Sequence, residues 1–272
     1  MPGRHRPLTA SQTRLLPALV LILALFSLPS LPAFAEPHFR VFAAASLTDA
    51  MDAAIAQYEK DHEADITAVY AASSILARQI ANGAPADLYV SANARWMNWL
   101  GEQGIRLQAR TDLFHNRLAL IASRPAAIDR FSPGSGAPIA SLLAPGERLA
   151  VGDPAHVPAG IYTREALETL GEWSTLQSRL ARSDNVRAAL ALVERGETPL
   201  GIVYQSDALA SKAIKTLGLF PQRTHPPITY PVAIVSPDAG DAVKAFRKWL
   251  VTEQAQSIFQ RFGFTPVEQQ VQ

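Results

Sequence analysis

The sequence predicts an α/β protein whose mainly parallel sheets are flanked by helices. Two observations predict it. From about residue 36 onward, short β-like runs alternate with stretches whose apolar residues recur every three or four positions. In addition, 48% of the 272 residues are hydrophobic, enough for one large globular unit or two modest ones and too many for a disordered chain.

Each element has its own signal. "FRVFAAA", Phe39 to Ala45, reads as a strand, and Leu47, Met51, Ile55 and Tyr58 then place an apolar stripe on one face of a helix. "ITAVYAA" repeats the strand signal. A second helix begins near Ser74 and stops at Asn82-Gly83, a common C-terminal punctuation. "DLYVSA" is a further strand, and the helical "ARWMNWLGEQG" closes on Gly104. Strands are also expected at "RLALIAS", "RLAVGD", "LGIVY" and "YPVAIV", and helices around residues 160–170, 185–195, 241–251 and 253–262. No internal repeat or low-complexity tract interrupts this order.

The first 35 residues stand apart from the core. Arg4, Arg6 and Arg14 precede the apolar run "LLPALVLILALFSL", and Ala33-Phe34-Ala35 offers small residues to a signal peptidase. The run is short for a membrane span and is bracketed by Pro17 and Pro29, so a secretory signal cleaved after Ala35 is expected. Removing it takes away three Arg and no acid, leaving 22 basic against 24 acidic residues, a formal charge of −2. That balance argues against nucleic acid and anionic membrane surfaces as partners. The chain has no cysteine, which excludes disulfides, thiolate metal sites, cysteine nucleophiles and a lipoprotein anchor.

"FAAASLTDAM" runs from a strand through Ser46 directly into a helix. The first N–H groups of a helix lack partners within it, and its positive dipole end points off the sheet edge, so such a junction can receive an anion. Ser46 could equally cap the helix, as could Thr48 with Asp49, and caps are commoner than ligand sites. Three further junctions share the design: Ser73 and Ser74 in "YAASSILARQ", Ala159 and Gly160 in "VGDPAHVPAGIY", and Val186 in "SDNVRAALALVERG". Asp87 and Asp153 read as loop braces, Arg78 as a surface or bracing residue, and Trp96, Trp99, Trp173 and Trp249 as core or rim residues on helices.

"FAAASLTDAM", "SSILARQIANGAPADLYVSA", "VGDPAHVPAGIY", "VRAALALVERGETPLGIVYQSDA" and "YPVAIV" resemble, in order and spacing over residues 38–265, the periplasmic molybdate-binding proteins of bacterial ABC transporters. The resemblance implies a two-lobed type II solute-binding fold: residues 36–116 and 230–272 in lobe I, residues 117–229 in lobe II, and two crossover strands, near Asn116-Arg117 and Ile228–Pro231. It implies ligand contacts from Ser46 and Ser73 on one side and from Ala159, Val186 and Tyr204 on the other. Ser46, Ser73 and Tyr204 would donate through hydroxyls, Ala159 and Val186 through backbone N–H. Molybdenum would be held only as the oxyanion, with tungstate as an equivalent ligand, no cofactor, and a separate membrane permease and ATPase as partners of a periplasmic monomer. One departure is "YAA", where Ala72 replaces a serine common in the family.

Catalysis lacks its usual marks. There is no G-x-S-x-G elbow, no Walker loop, and no H-x-x-x-H or H-E-x-x-H among the histidines at 5, 38, 62, 115, 156 and 225. A receptor of the same fold for sulfate or another oxyanion would be marked by a basic residue or a carboxylate at the five positions, and none stands there.

Overall fold

The computed structural model describes residues 38–267 and Gly3. The expected secretory signal over residues 1–35, with its cleavage after Ala35, lies outside the described residues. Among the described residues no helix is long and apolar enough to cross a membrane.

From His38 the chain forms β1 (His38–Ala44), a short 3-10 turn (Ala45–Leu47) and α1 (Thr48–Asp61). Met51, Ile55 and Tyr58 face the core, as their spacing predicts. β2 (Asp65–Ala71) leads into α2 (Ser73–Ala81), and β3 (Leu88–Val90) into α3 (Ala94–Glu102). α2 ends where Gly83 takes a left-handed φ of 89°. α3 starts under a true cap, Asn93 Oδ1 accepting from the Trp96 N–H at 3.0 Å.

β4 (Gln108–Asn116) and β5 (Leu118–Ser123) are separated by one residue, Arg117, yet belong to different sheets. Then come β6 (Leu149–Gly152), α4 (Pro158–Thr169), α5 (Trp173–Leu176), β7 (Leu180–Ser183), α6 (Val186–Glu194), β8 (Leu200–Tyr204), α7 (Gln205–Ala210) and β9 (Ile214–Leu219). The chain returns to the first sheet with β10 (Ile228–Ile234), followed by α8 (Asp241–Trp249), α9 (Glu253–Arg261) and β11 (Thr265–Pro266). The first sheet is ordered β11-β4-β10-β3-β1-β2 and the second β7-β6-β8-β5-β9.

Both sheets are mixed, and the pairing follows connectivity. β1 is parallel to β2 and β3, and β6 is parallel to β7 and β8, because helical crossovers join them. The strands that carry the chain between sheets pair antiparallel: β10 with β3 and β4, and β5 with β8 and β9.

β4, β7, β9 and the two-residue β11 stand outside the strands expected from sequence. β7 and β9 are the edge strands of the second sheet, and β4 has exposed residues in its first half, so none carries a strong apolar signal. A core of fully buried aromatic residues, including Phe114, Phe246, Phe259 and Tyr230, fills the first half. Leu120, Ile121, Val151 and Ile202 do so in the second.

Candidate functional site

The C-terminal ends of β1, β2, β6, β7 and β8 each run directly or through a short loop into a helix or turn, so five such junctions face a common crevice. Ser46 lies in the turn after β1, and Ser73 is the first residue of α2. Ala159 is the second residue of α4, Val186 the first of α6, and Tyr204 the last of β8. All five are buried and line one small cavity. Ala44, Ala45, Ala72, Ala92, Val157, Pro158 and Asn185 complete its wall, so no lining side chain carries a charge. A larger hollow, about 840 Å³, is formed by residues 59–65 alone and gathers nothing from elsewhere in the chain.

Ser46 does not cap α1. The residue at that cap is Leu47, with no side-chain hydrogen bond, and Thr48 Oγ1 donates to the Ala45 carbonyl. Ser46 Oγ lies instead 2.8 Å from the Tyr230 hydroxyl. Asn116 Oδ1 accepts from the Arg117 N–H at 2.8 Å, which fixes the amide, and Asn116 Nδ2 therefore donates to Tyr230 Oη at 3.3 Å and to Ser206 Oγ at 2.9 Å. Among the described residues Tyr230 Oη meets only Asn116 Nδ2, itself a donor, and Ser46 Oγ, so Ser46 is the one acceptor within reach of the phenol proton and its own proton is left for the cavity. Each bond in such a chain polarises the next.

Ser73 is oriented in the same sense. Its Oγ accepts from the Ala92 N–H at 2.9 Å, so its proton is also available, and its carbonyl receives the Tyr89 hydroxyl at 2.8 Å. Tyr204 Oη is buried with no hydrogen-bond partner among the described residues, an orphan in the cavity wall. Burial pushes its phenol well above the ordinary value, and nearby Tyr230, Tyr162 and Asp207 add to the effect. Tyr230 is raised by burial as well. Both phenols stay protonated and remain donors.

Helix geometry leaves the N–H groups of Ala159 and Val186 without acceptors in their own helices. At α4, Pro158 supplies the fixed φ of the first turn, and Gly160 lets the helix lie against β6: a Cβ there would stand 2.0 Å from the Gly152 carbonyl oxygen. At α6, Asn185 Oδ1 caps the Ala188 N–H at 3.0 Å and leaves the Val186 N–H to the cavity. The arrangement presents hydroxyl and amide donors to a small neutral-walled space, which suits an anion carrying no proton.

The charged residues nearby are engaged elsewhere. Arg187 pairs with Asp207 and Asp49, each at 2.6 Å. Burial pushes Asp207 up to about 6, against the pull of Arg187. Arg78 stacks over Trp96 at 5.2 Å, Asp87 receives the Arg40 N–H, and Asp153 receives the Ala155 N–H, all bracing roles. Among the described residues no group of three or more His, Cys, Asp or Glu is placed to hold a metal ion.

Asn116, Tyr230 and Arg187 are the residues that sequence reasoning missed. Tyr230 opens the quoted "YPVAIV", but nothing in that run says that its hydroxyl meets a serine 184 positions away.

Residues 39–265 match the family described as bacterial extracellular solute-binding protein. The chain is 48% identical over 231 residues to the molybdate-binding protein ModA of Escherichia coli (strain K12), covering 85% of this chain and 90% of the relative. It is 42% identical over 233 residues to ModA of Haemophilus influenzae, covering 85% and 91%. The solved periplasmic molybdate-binding protein of Azotobacter vinelandii superposes with a TM-score of 0.74, covering 85% of this chain and 100% of that one, and at 21% identity the likeness is one of fold. The chain belongs to the bacterial extracellular solute-binding protein family.

Proposed function

We infer that this chain is a periplasmic receptor that captures molybdate or tungstate between two lobes and delivers it to the permease and ATPase of an ABC transporter. Residues 36–116 and 230–272 form one lobe and 117–229 the other, after a signal cleaved following Ala35. The protein works as a monomer and performs no chemistry on its ligand. Ser46, Ser73 and Tyr204 donate hydroxyl protons to the oxyanion, and Ala159 and Val186 donate backbone N–H.

The observation that carries this reading is the convergence of those five residues, from both sheets, on one uncharged cavity whose Tyr204 hydroxyl lacks a partner among the described residues. The identity to the two ModA relatives supports the choice of anion. Hydrogen bonds to a charged group contribute roughly 1.5 to 3 kcal/mol each, so several together reach micromolar affinity or better without a counter-charge. Hydrogen phosphate would bring a proton for which the lining offers no carboxylate. Sulfate, being smaller, would leave some of these fixed donors unpaired.

Isothermal titration of the purified protein with molybdate, tungstate, sulfate and phosphate tests this. One-to-one binding of the first two with silence from the others is expected; silence to molybdate would reassign the cavity to another anion.

A further inference from the structure

The two halves also touch outside the cavity. Trp96 Nε1 donates to the His156 carbonyl at 2.8 Å, and Ser74 Oγ lies 3.1 Å from His156 Nδ1. The charged contact is Arg187 Nη2 to Asp49 Oδ2 at 2.6 Å, joining α6, packed on the second sheet, to α1 on the first. Arg187 directly follows Val186, and Asp49 stands three residues after Ser46, so the pair spans the crevice beside two helix starts that flank the cavity. Neither side chain lines the cavity.

Within its own half, Arg187 is aimed. Its Nε donates to Asp207 Oδ1 at 2.6 Å, and Asp207, fully buried, is itself held by the Tyr204 N–H at 3.1 Å. Asp49, by contrast, keeps 44% of its side chain exposed.

We propose that Arg187, oriented by Asp207, is a latch that holds the two halves together by pairing with Asp49 and so prolongs the stay of the bound anion without touching it. This rests on the oxyanion reading of the cavity. Asp207 neutralises Arg187 whether or not Asp49 is near, so separating the halves strands no buried charge. Asp49 remains hydrated on its open side, so joining the pair carries a modest desolvation cost. The pair therefore favours the closed arrangement alone, and its effect falls on dissociation. An arginine is required because one planar guanidinium reaches two carboxylates in two directions, which an ammonium cannot do in the same geometry.

The test compares wild type with Asp49→Asn and Arg187→Lys, using molybdate release followed by tryptophan fluorescence at low and high salt, and melting of the ligand-free proteins. Asp49→Asn is expected to release molybdate roughly five- to twentyfold faster, with an unchanged association rate. Its release should also lose the salt acceleration of wild type, while its ligand-free melting temperature stays that of wild type. Arg187→Lys should fall between the two, and Asp49→Glu should restore part of the loss. Wild-type release rates and salt dependence in Asp49→Asn would overturn the latch, as would a ligand-free melting loss that accounts for the weaker binding. Wild type failing to bind molybdate would overturn the molybdate reading on which the latch rests, an outcome distinct from either.

Discussion

Ser46 Oγ and the Tyr230 hydroxyl lie 2.8 Å apart, one in the turn after β1 and the other in the strand that brings the chain back from the second sheet. Because Ser46 Oγ is the one acceptor among the described residues within reach of the Tyr230 proton, the serine proton is left for the cavity. Ser46→Ala removes the donor and should weaken molybdate binding roughly 10- to 100-fold, the equivalent of about 1.5 to 3 kcal/mol. Tyr230→Phe removes only the support, and a loss of roughly fivefold is expected. Titration calorimetry of both variants checks the order; a larger loss in Tyr230→Phe would place the phenol, not the serine, against the anion.

Ser73 and Ala159 separate a side-chain donor from a backbone donor. Ser73→Ala deletes a hydroxyl and also strips the Ala92 N–H of its acceptor, so both affinity and stability should fall, stability by roughly 1 to 3 kcal/mol. Ala159→Gly keeps its N–H and should change affinity far less. Equal losses in binding for the two would contradict the backbone role of Ala159.

Tyr204 offers the opposite sign in the two measurements. Its buried hydroxyl has no partner among the described residues, so Tyr204→Phe should leave the ligand-free protein as stable as wild type or more so. Molybdate affinity should drop roughly 10- to 100-fold if that hydroxyl serves the anion. Denaturant unfolding together with calorimetry decides; a loss of stability with affinity intact would make the hydroxyl a structural group.

Asp207 sets a pH dependence. Its folded pKa is raised by burial to about 6 from an ordinary value near 4, so the native state holds a proton that the unfolded chain releases as pH rises between these values. Its contribution to stability is fully present below pH 4 and declines as pH rises to 6, by on the order of 3 kcal/mol. Wild-type stability measured relative to Asp207→Asn should therefore fall across that window. A flat difference would mean that Arg187 holds the carboxylate ionised throughout.

Much of this protein was legible in the order of its residues. The stripe Leu47, Met51, Ile55, Tyr58 and the Asn82-Gly83 stop are local signals, and each marks the element it belongs to because helix periodicity and capping act within a few residues. Helix starts near Ser74, Ala159 and Val186 were likewise visible, since a strand signal followed at once by a helical one leaves N–H groups free whatever the rest of the chain does. The ambiguity at Ser46 was not resolvable locally: cap and ligand donor look alike in sequence, and only the approach of Tyr230 and Asn116 from distant strands decided between them. The mixed pairing of the sheets, the edge strands β7 and β9, and the Asp49–Arg187–Asp207 cluster belong to the same class. Side-chain directions, burial and charge pairing across 138 residues are set by how the two halves pack, and no short-range pattern carries that information.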